Sequence, residues 1–164
     1  MVSIRVPVWI AVSAAALSWS ASVNAQDLLN QKALSLDAAQ TMARTALEKC
    51  RADGYHVSVT VLDAGGMLKA FLRDDGTGLH TVDLSRRKAY TALTFKRTSG
   101  ETGKAWDAQA HPPNIEGTVG LAGGVPIRAG NEVIGAIGVS GAPGGEKDEA
   151  CASAGIAKIA DKLK

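Results

Sequence analysis

The candidate ligands for a metal or a haem iron in this 164-residue chain are its three histidines, His56, His80 and His111. Imidazole is the commonest protein ligand for metals. No two histidines stand four residues apart and the two cysteines form no C-x-x-C motif, which argues against a closed zinc site. C-x-x-C-H is absent too, so covalent c-type haem is excluded. Any ligation would therefore use single histidines that the fold brings to an open site.

Two short motifs resemble catalytic loops without completing them. Residues 138–142 read GVSGA, with Ala142 where a nucleophile elbow needs its last glycine. Residues 144–147 read GGEK, which lacks the spacing of a phosphate-binding loop, and Glu146, Asp148 and Glu149 would repel an anion at the helix end that follows. A Rossmann fingerprint is missing as well. The sequence therefore argues against a serine hydrolase and against a nucleotide-binding loop.

Charged residues cluster at residues 73–75 (RDD) and 86–88 (RRK), around the start of a predicted helix. A solvated surface is the simplest interpretation of both clusters. Lys88 shares its helix with Ala89 and Ala92, and could instead pair with a strand-end carboxylate such as Asp63.

The overall composition excludes several classes of function. A net charge of +2 is too small for a nucleic-acid-binding surface or a polybasic membrane surface. An aromatic content of 4% provides no stacking platform for single-stranded nucleic acid. Beyond the N-terminus there is no apolar run of the ~18 residues that a membrane span needs. We therefore expect one folded domain with no nucleic-acid partner.

The N-terminus has the layout of a secretory signal peptide. Arg5 precedes an apolar stretch over residues 6–17, and small residues stand at positions 23 and 25 for cleavage after Ala25. We expect a signal peptide at residues 1–25, a single domain at residues 26–164, and a periplasmic or secreted location. The mature chain would then have no membrane span.

Export makes Cys50 and Cys151 a candidate intrachain disulfide. Cys50 falls at the end of the first predicted helix and Cys151 near the start of the last. Antiparallel packing of these helices would bring the two residues to the Cα spacing that a disulfide requires. Two buried thiols facing different neighbours are the alternative.

The hydrophobic pattern predicts the element order α-β-β-α-α-β-β-α. Hairpin connections in place of βαβ units favour an antiparallel sheet with helical layers, which is an α+β domain. Ser35 is the expected N-cap of the first helix. The predicted helices are 36–54, one that begins at Thr81 or Asp83 and runs to about 97, 99–109 and one from 146 onward. The predicted strands are 56–63, 67–73, 125–128 and 133–139.

Four motifs occur in order along the chain: VTVLDAGG (59–66), KAYTA (88–92), GGVPI (123–127) and GAIGVSG (135–141), with Asp148 downstream. Together they resemble the GlcG/HbpS family of haem-binding proteins, which is related to the C-terminal domain of PduO. The resemblance covers residues 36–162. It implies an α/β/α sandwich around a five-stranded antiparallel sheet, of GlcG-like and profilin-like architecture, and a homo-oligomer.

Together with the predicted signal peptide, the resemblance implies an exported protein that binds non-covalent b-type haem, for haem carriage, storage or redox sensing. It favours a binding protein over an enzyme. His80 is the first choice of iron ligand, because it follows the glycine loop 76–78, where a flat macrocycle could approach. His111 is the second choice and His56 the third. Cations on the helix after His80 would pair with the haem propionates, namely Arg86, Arg87 or Lys88.

Two other functions remain open at this point. One is a small-molecule enzyme that acts on an oxidised organic acid, with His80 as acid or base and Arg73 or Arg87 holding a carboxylate. The other is a non-catalytic accessory that binds a partner protein. A Soret band in protein supplied with haem would separate the haem-binding function from both.

Overall fold

The computed structural model describes residues 29–109 and 113–164 of the chain. The predicted signal peptide and His111 lie outside the described residues. The helices are α1 (Leu36–Ala52), α2 (His80–Phe95), α3 (Ser99–Asp107) and α4 (Gly145–Ala157), followed by a 3-10 turn at Ala160–Lys162; the strands are β1 (Ser58–Asp63), β2 (Leu68–Arg73), β3 (Gly124–Ala129) and β4 (Glu132–Ser140). The predicted element order is confirmed. Within the described part of the chain, no helix is both long enough and apolar enough to span a bilayer.

The strands form one antiparallel sheet in the order β2-β1-β4-β3. The α+β class is therefore confirmed, but the expected five strands are wrong, because the described residues contain four. Residues 119 and 120, a few positions before β3, pack on helices instead of joining the sheet. Val119 N–H donates to Thr91 Oγ1 of α2 at 2.8 Å, and a Cβ built on Gly120 would lie only 2.6 Å from the Cα of Gly103 in α3.

One face of the sheet carries the apolar core. Val57, Val59 and Val61 point toward α1 and α4 and are fully buried, as the strict alternation predicts. Each such side chain contributes about 1.5–3 kcal/mol of transfer free energy. Ser35 caps α1 as expected, since its Oγ accepts the Ala38 N–H at 3.2 Å. The valine face therefore fixes which side of the sheet α1 and α4 cover.

The opposite face holds α2 through close backbone contact. A Cβ on Gly138 would lie 2.1 Å from the Ser85 carbonyl oxygen, and one on Gly124 would lie 2.0 Å from that of Lys88. Only glycine permits this approach at either position. Buried hydroxyls complete the contact, because Thr60 Oγ1 and the Ser85 Oγ are 2.8 Å apart. Because α2 lies this close to the sheet, its flank stands directly beside the ends of the strands.

Cys50 and Cys151 form a disulfide that joins α1 to α4, with a Cα–Cα distance of 5.7 Å. Both residues are fully buried. One turn beyond Cys151 the two helices nearly touch, since a Cβ on Gly155 would lie 2.6 Å from the Met42 carbonyl oxygen. The predicted intrachain disulfide is therefore confirmed.

We expect the double variant Cys50→Ser, Cys151→Ser to lose about 4–5 kcal/mol of unfolding free energy, because the bond closes a loop of 101 residues. Guanidinium unfolding of oxidised parent, reduced parent and variant measures this loss. Two reactive thiols per oxidised chain in denaturant would contradict the bond.

Candidate functional site

One flank of α2 lines an open cleft of about 400 Å³. His80, Leu84 and Lys88 recur every four residues, so they share that flank. The other walls come from α3, from the segment before β3 and from the turn between β4 and α4. Those walls consist of Gly100, Lys104, Asp107, Gly120, Leu121, Ala122, Ser140, Gly141, Ala142, Gly145, Glu146 and Asp148.

His80 is the first residue of α2 and its imidazole is exposed at the rim of the cleft. A Cβ on Gly78 would lie 2.9 Å from His80 Cε1, so the absence of a side chain there makes room for the ring. Its neighbour Leu79 is 83% exposed. The structure therefore places the first-choice ligand at an accessible position beside apolar surface.

Lys88 lies at the inner end of the same flank, in a buried ion pair with Asp148. Its Nζ donates to Asp148 Oδ2 at 2.7 Å and to the Val139 carbonyl oxygen at 3.1 Å. Asp148 Oδ1 accepts the Ala142 N–H at 2.9 Å. Burial raises the pKa of Asp148, and the hydrogen bond from Lys88 opposes that shift. This pair ties α2 to the β4–α4 turn and so holds two walls of the cleft together.

The alternative pairing of Lys88 with Asp63 is wrong. The Asp63 carboxylate instead accepts the backbone N–H groups of Gly65 and Met67, at 2.9 and 3.0 Å, within the β1–β2 turn. An aspartate commonly closes a turn in this way, and the local sequence carries that signal. Asp148 is 60 residues from Lys88 and carries no comparable signal.

Ser140 ends β4 at the floor of the cleft and is only 2% exposed. Sequence reasoning considered it as a nucleophile and set it aside, and it missed Lys104 and Asp107. These two stand three residues apart on α3, a helical spacing that puts both on one face. The cleft thus contains two ammonium groups, an imidazole and the hydroxyl of Ser140, together with carboxylates.

Arg86 and Arg87 do not line the cleft that His80 borders. Arg86 is 3.3 Å from Asp83 Oδ1, and an Arg87 N–H donates to the Thr118 carbonyl oxygen at 2.7 Å. Both border a second hollow of about 430 Å³, formed with residues 114–117. Arg73 donates to the Thr77 carbonyl oxygen at 2.8 Å. The structure therefore brings Lys88 together with His80 but does not bring either arginine of α2 into that cleft.

His56 belongs to a separate cluster around Asp74. Its side chain is 63% exposed, and its Nδ1 lies 3.1 Å from Asp74 Oδ2. Arg51 donates to both carboxylate oxygens of Asp74, with its Nε at 2.9 Å from Oδ2. The Arg51 hydrogen bond holds the pKa of Asp74 far below its usual range, with smaller contributions from Asp75 N–H and His56.

We expect Asp74→Asn to lower the free energy of unfolding at pH 7, because it removes the charge that pairs with Arg51. The loss should be only about 1 kcal/mol, because solvent screens the half-exposed Arg51. A carboxylate whose pKa is lowered in the folded state contributes stability at pH values above its unfolded-state pKa of about 3.9. That stability is lost as the pH falls toward the folded-state pKa. The difference between parent and variant should therefore shrink steadily below about pH 4. Thermal unfolding from pH 7 to pH 2 measures it, and a difference that grows on acidification would contradict it.

Within residues 29–109 and 113–164, no three histidine, cysteine, aspartate or glutamate side chains converge as a metal site.

Comparison with known proteins assigns this fold to a family. The family model described as haem degrading protein HbpS-like matches residues 34–157. Protein GlcG of Escherichia coli K12 is 31% identical over 108 residues, covering 65% of this chain and 81% of GlcG. The crystal structure of HbpS superposes with a TM-score of 0.78 and 39% identity, over 81% of this chain and 94% of HbpS. A PduOC:heme complex gives a TM-score of 0.72 and 27% identity, over 78% and 96% of the two chains.

The chain is thus an α+β protein of the GlcG/HbpS class. It belongs to the HbpS-like family, over nearly all of the described residues.

Proposed function

We propose that the protein is exported and binds non-covalent b-type haem, for haem carriage, storage or redox sensing. The observation that carries this proposal is the exposed imidazole of His80 at the rim of the cleft. Membership of the HbpS-like family and likeness to a heme complex support it. Haem iron held by one imidazole supplies reversible binding of small ligands and one-electron chemistry.

The residues around His80 fit one face of a flat macrocycle. Gly78 leaves the imidazole unobstructed, Leu121 offers exposed apolar surface within the cleft, and Leu79 offers more next to His80 in the chain. Among the cations proposed as propionate partners, Lys88 shares the cleft with His80, and Lys104 joins it from α3. Arg86 and Arg87 would serve only a haem that extends over the other flank of α2.

We expect His80→Ala to weaken ferric haem binding at least about tenfold, because it removes the imidazole that would hold the iron. The measurement is a Soret titration of the mature chain (residues 26–164) with haem. His56→Ala and His111→Ala are the matched controls and should bind as the parent does. A parent-like His80→Ala together with a weakened control would transfer the ligand role to that control residue.

The same samples distinguish carriage from degradation, which the family's description names. A Soret band that persists for hours with ascorbate in air fits carriage or storage. A band that bleaches only when the protein is present fits degradation.

The disulfide supports the proposed export to the periplasm or beyond. Disulfides persist in oxidising compartments and are rare in the reducing cytosol. Cys50 and Cys151 are buried in the core, where their bond links α1 to α4. In a reducing compartment the protein would lose this covalent link. A signal peptide at residues 1–25 would place the chain where that link forms.

We also propose that copies of the chain associate into a homo-oligomer. β2 is an edge strand, and Leu68 and Phe71 are exposed on its face toward the α2 layer. A register shift in β2 puts both on one face, since Leu68 pairs with Leu62, which packs with Ala89 and Ala92 of α2. That face is identified by register, because Phe71 pairs with Thr60, whose hydroxyl contacts Ser85 of α2. Exposed apolar groups along an edge strand favour association unless another surface covers them.

We expect the double variant Leu68→Glu, Phe71→Glu to shift the protein toward monomer, because each carboxylate would have to be desolvated in the contact. Light scattering at micromolar concentration measures the mass. Lys158→Glu, at the exposed end of α4, adds a carboxylate elsewhere and should leave the mass unchanged. A monomeric parent would rule out the oligomer.

A further inference from the structure

We infer that the floor of the cleft binds the carboxylate of a small hydroxy acid, seated between Lys88 Nζ and Ser140 Oγ. These groups lie apart from the iron ligand proposed above. The inference does not need haem to bind, and haem-free protein tests it.

Lys88 has donor capacity left over. An ammonium group carries three N–H donors, and the Lys88 ammonium uses two of them, toward Asp148 and the Val139 carbonyl oxygen. Within residues 29–109 and 113–164 no acceptor meets the third. The side chain is 3% exposed yet lines the cleft. A buried donor of this kind favours an oxygen acceptor that arrives from the cleft.

Ser140 offers a second group at the same place. Its hydroxyl has no hydrogen-bond partner in the described ranges, although the residue is almost fully buried and lines the cleft. The carbonyl that Lys88 contacts belongs to the preceding residue, Val139, so the ammonium of α2 meets β4 directly beside Ser140. One carboxylate can accept from both, because each of its two oxygens accepts hydrogen bonds.

The repulsion expected at the start of α4 is smaller than the sequence indicates. The charge of Asp148 is compensated by Lys88 at 2.7 Å. Glu149 lines a neighbouring groove and not this cleft. Gly144 caps α4 without a side-chain hydrogen bond, and the positive end of a helix dipole favours an anion. Lys104 adds a cation on the opposite wall.

The other carboxylates of the cleft favour a hydroxy acid over a plain alkanoate. Glu146 and Asp107 line the cleft and, when ionised, only accept hydrogen bonds. A plain alkanoate would meet their charge without offering a donor. A hydroxyl beside the ligand's carboxylate can donate to one of them, so a hydroxy acid fits the full set of groups better.

Haem-free mature protein titrated with lactate, followed by ¹⁵N–¹H NMR, tests the site; propionate is the matched acid without the hydroxyl. We expect saturable millimolar binding, with lactate at least about threefold tighter than propionate. Ser140→Ala keeps the Lys88–Asp148 pair and should weaken lactate about tenfold, the effect of one hydrogen bond to a charged group. Lys158→Met, far along α4, should bind as the parent does.

Absence of saturable shifts, equal affinity for the two acids, or a Ser140→Ala variant that binds like the parent would overturn the inference. Haem and haem dimethyl ester identify the source of the carboxylate. If Ser140→Ala weakens haem but not the ester, the floor also takes a haem propionate; if it weakens only lactate, the site is for a free acid. Loss of haem binding in all proteins with intact lactate binding would refute the haem proposal alone.

Discussion

The contact between the backbone of α2 and the sheet determines the geometry of everything around the cleft. Gly124 and Gly138 allow it, since a Cβ at either position would penetrate the helix. With α2 that close, Lys88 passes beside Gly123 to reach Asp148, and a Cβ on Gly123 would lie 2.9 Å from the Asp148 Cβ. The ion pair therefore depends on missing side chains. Any residue larger than glycine here would separate the groups that line the floor.

The two helical layers are held by different forces. α1 and α4 are fixed by apolar burial, by the Gly155 contact and by the Cys50–Cys151 bond. α2 is fixed by glycine contacts, by paired hydroxyls and by the Lys88–Asp148 pair. Buried hydrogen-bonded groups define a unique arrangement, because a shift leaves them without partners. The layer that carries the site is thus positioned by directional interactions, and the layer behind it supplies most of the apolar stability.

Much of the fold could be predicted from local patterns. Alternation over 57–61 identified the buried valine face, Ser35 identified a helix start, and the cysteine pair identified the link between α1 and α4. The fifth strand came from resemblance and not from periodicity, and in the described residues the segment before β3 packs on α2 and α3 instead.

The site could be predicted only in part. Helical periodicity brings Lys88 near His80 and separates Arg86 from it, but it also puts Arg87, seven residues on, nearly in line with His80. Only the structure shows Arg87 turned toward Thr118 and outside the cleft. The partner of Lys88 could not be found this way, because Asp148 reaches it from a distant element. In the sequence, Ser140 belongs to an incomplete catalytic motif. Only the structure shows that it lies buried at the end of β4, on the floor of the cleft. His111 lies outside the described residues, and its rank as second ligand stays a prediction.

The contact of Gly103 with Gly120 has a consequence for how quickly any occupant exchanges. Main chain meets main chain at that point, so α3 and the segment before β3 cannot approach each other further. This spacing leaves the cleft open, and most small-molecule sites are likewise largely preformed. A ligand that enters such a preformed site would associate at the pace of diffusion and docking, and differences in affinity between ligands would be expressed as residence times.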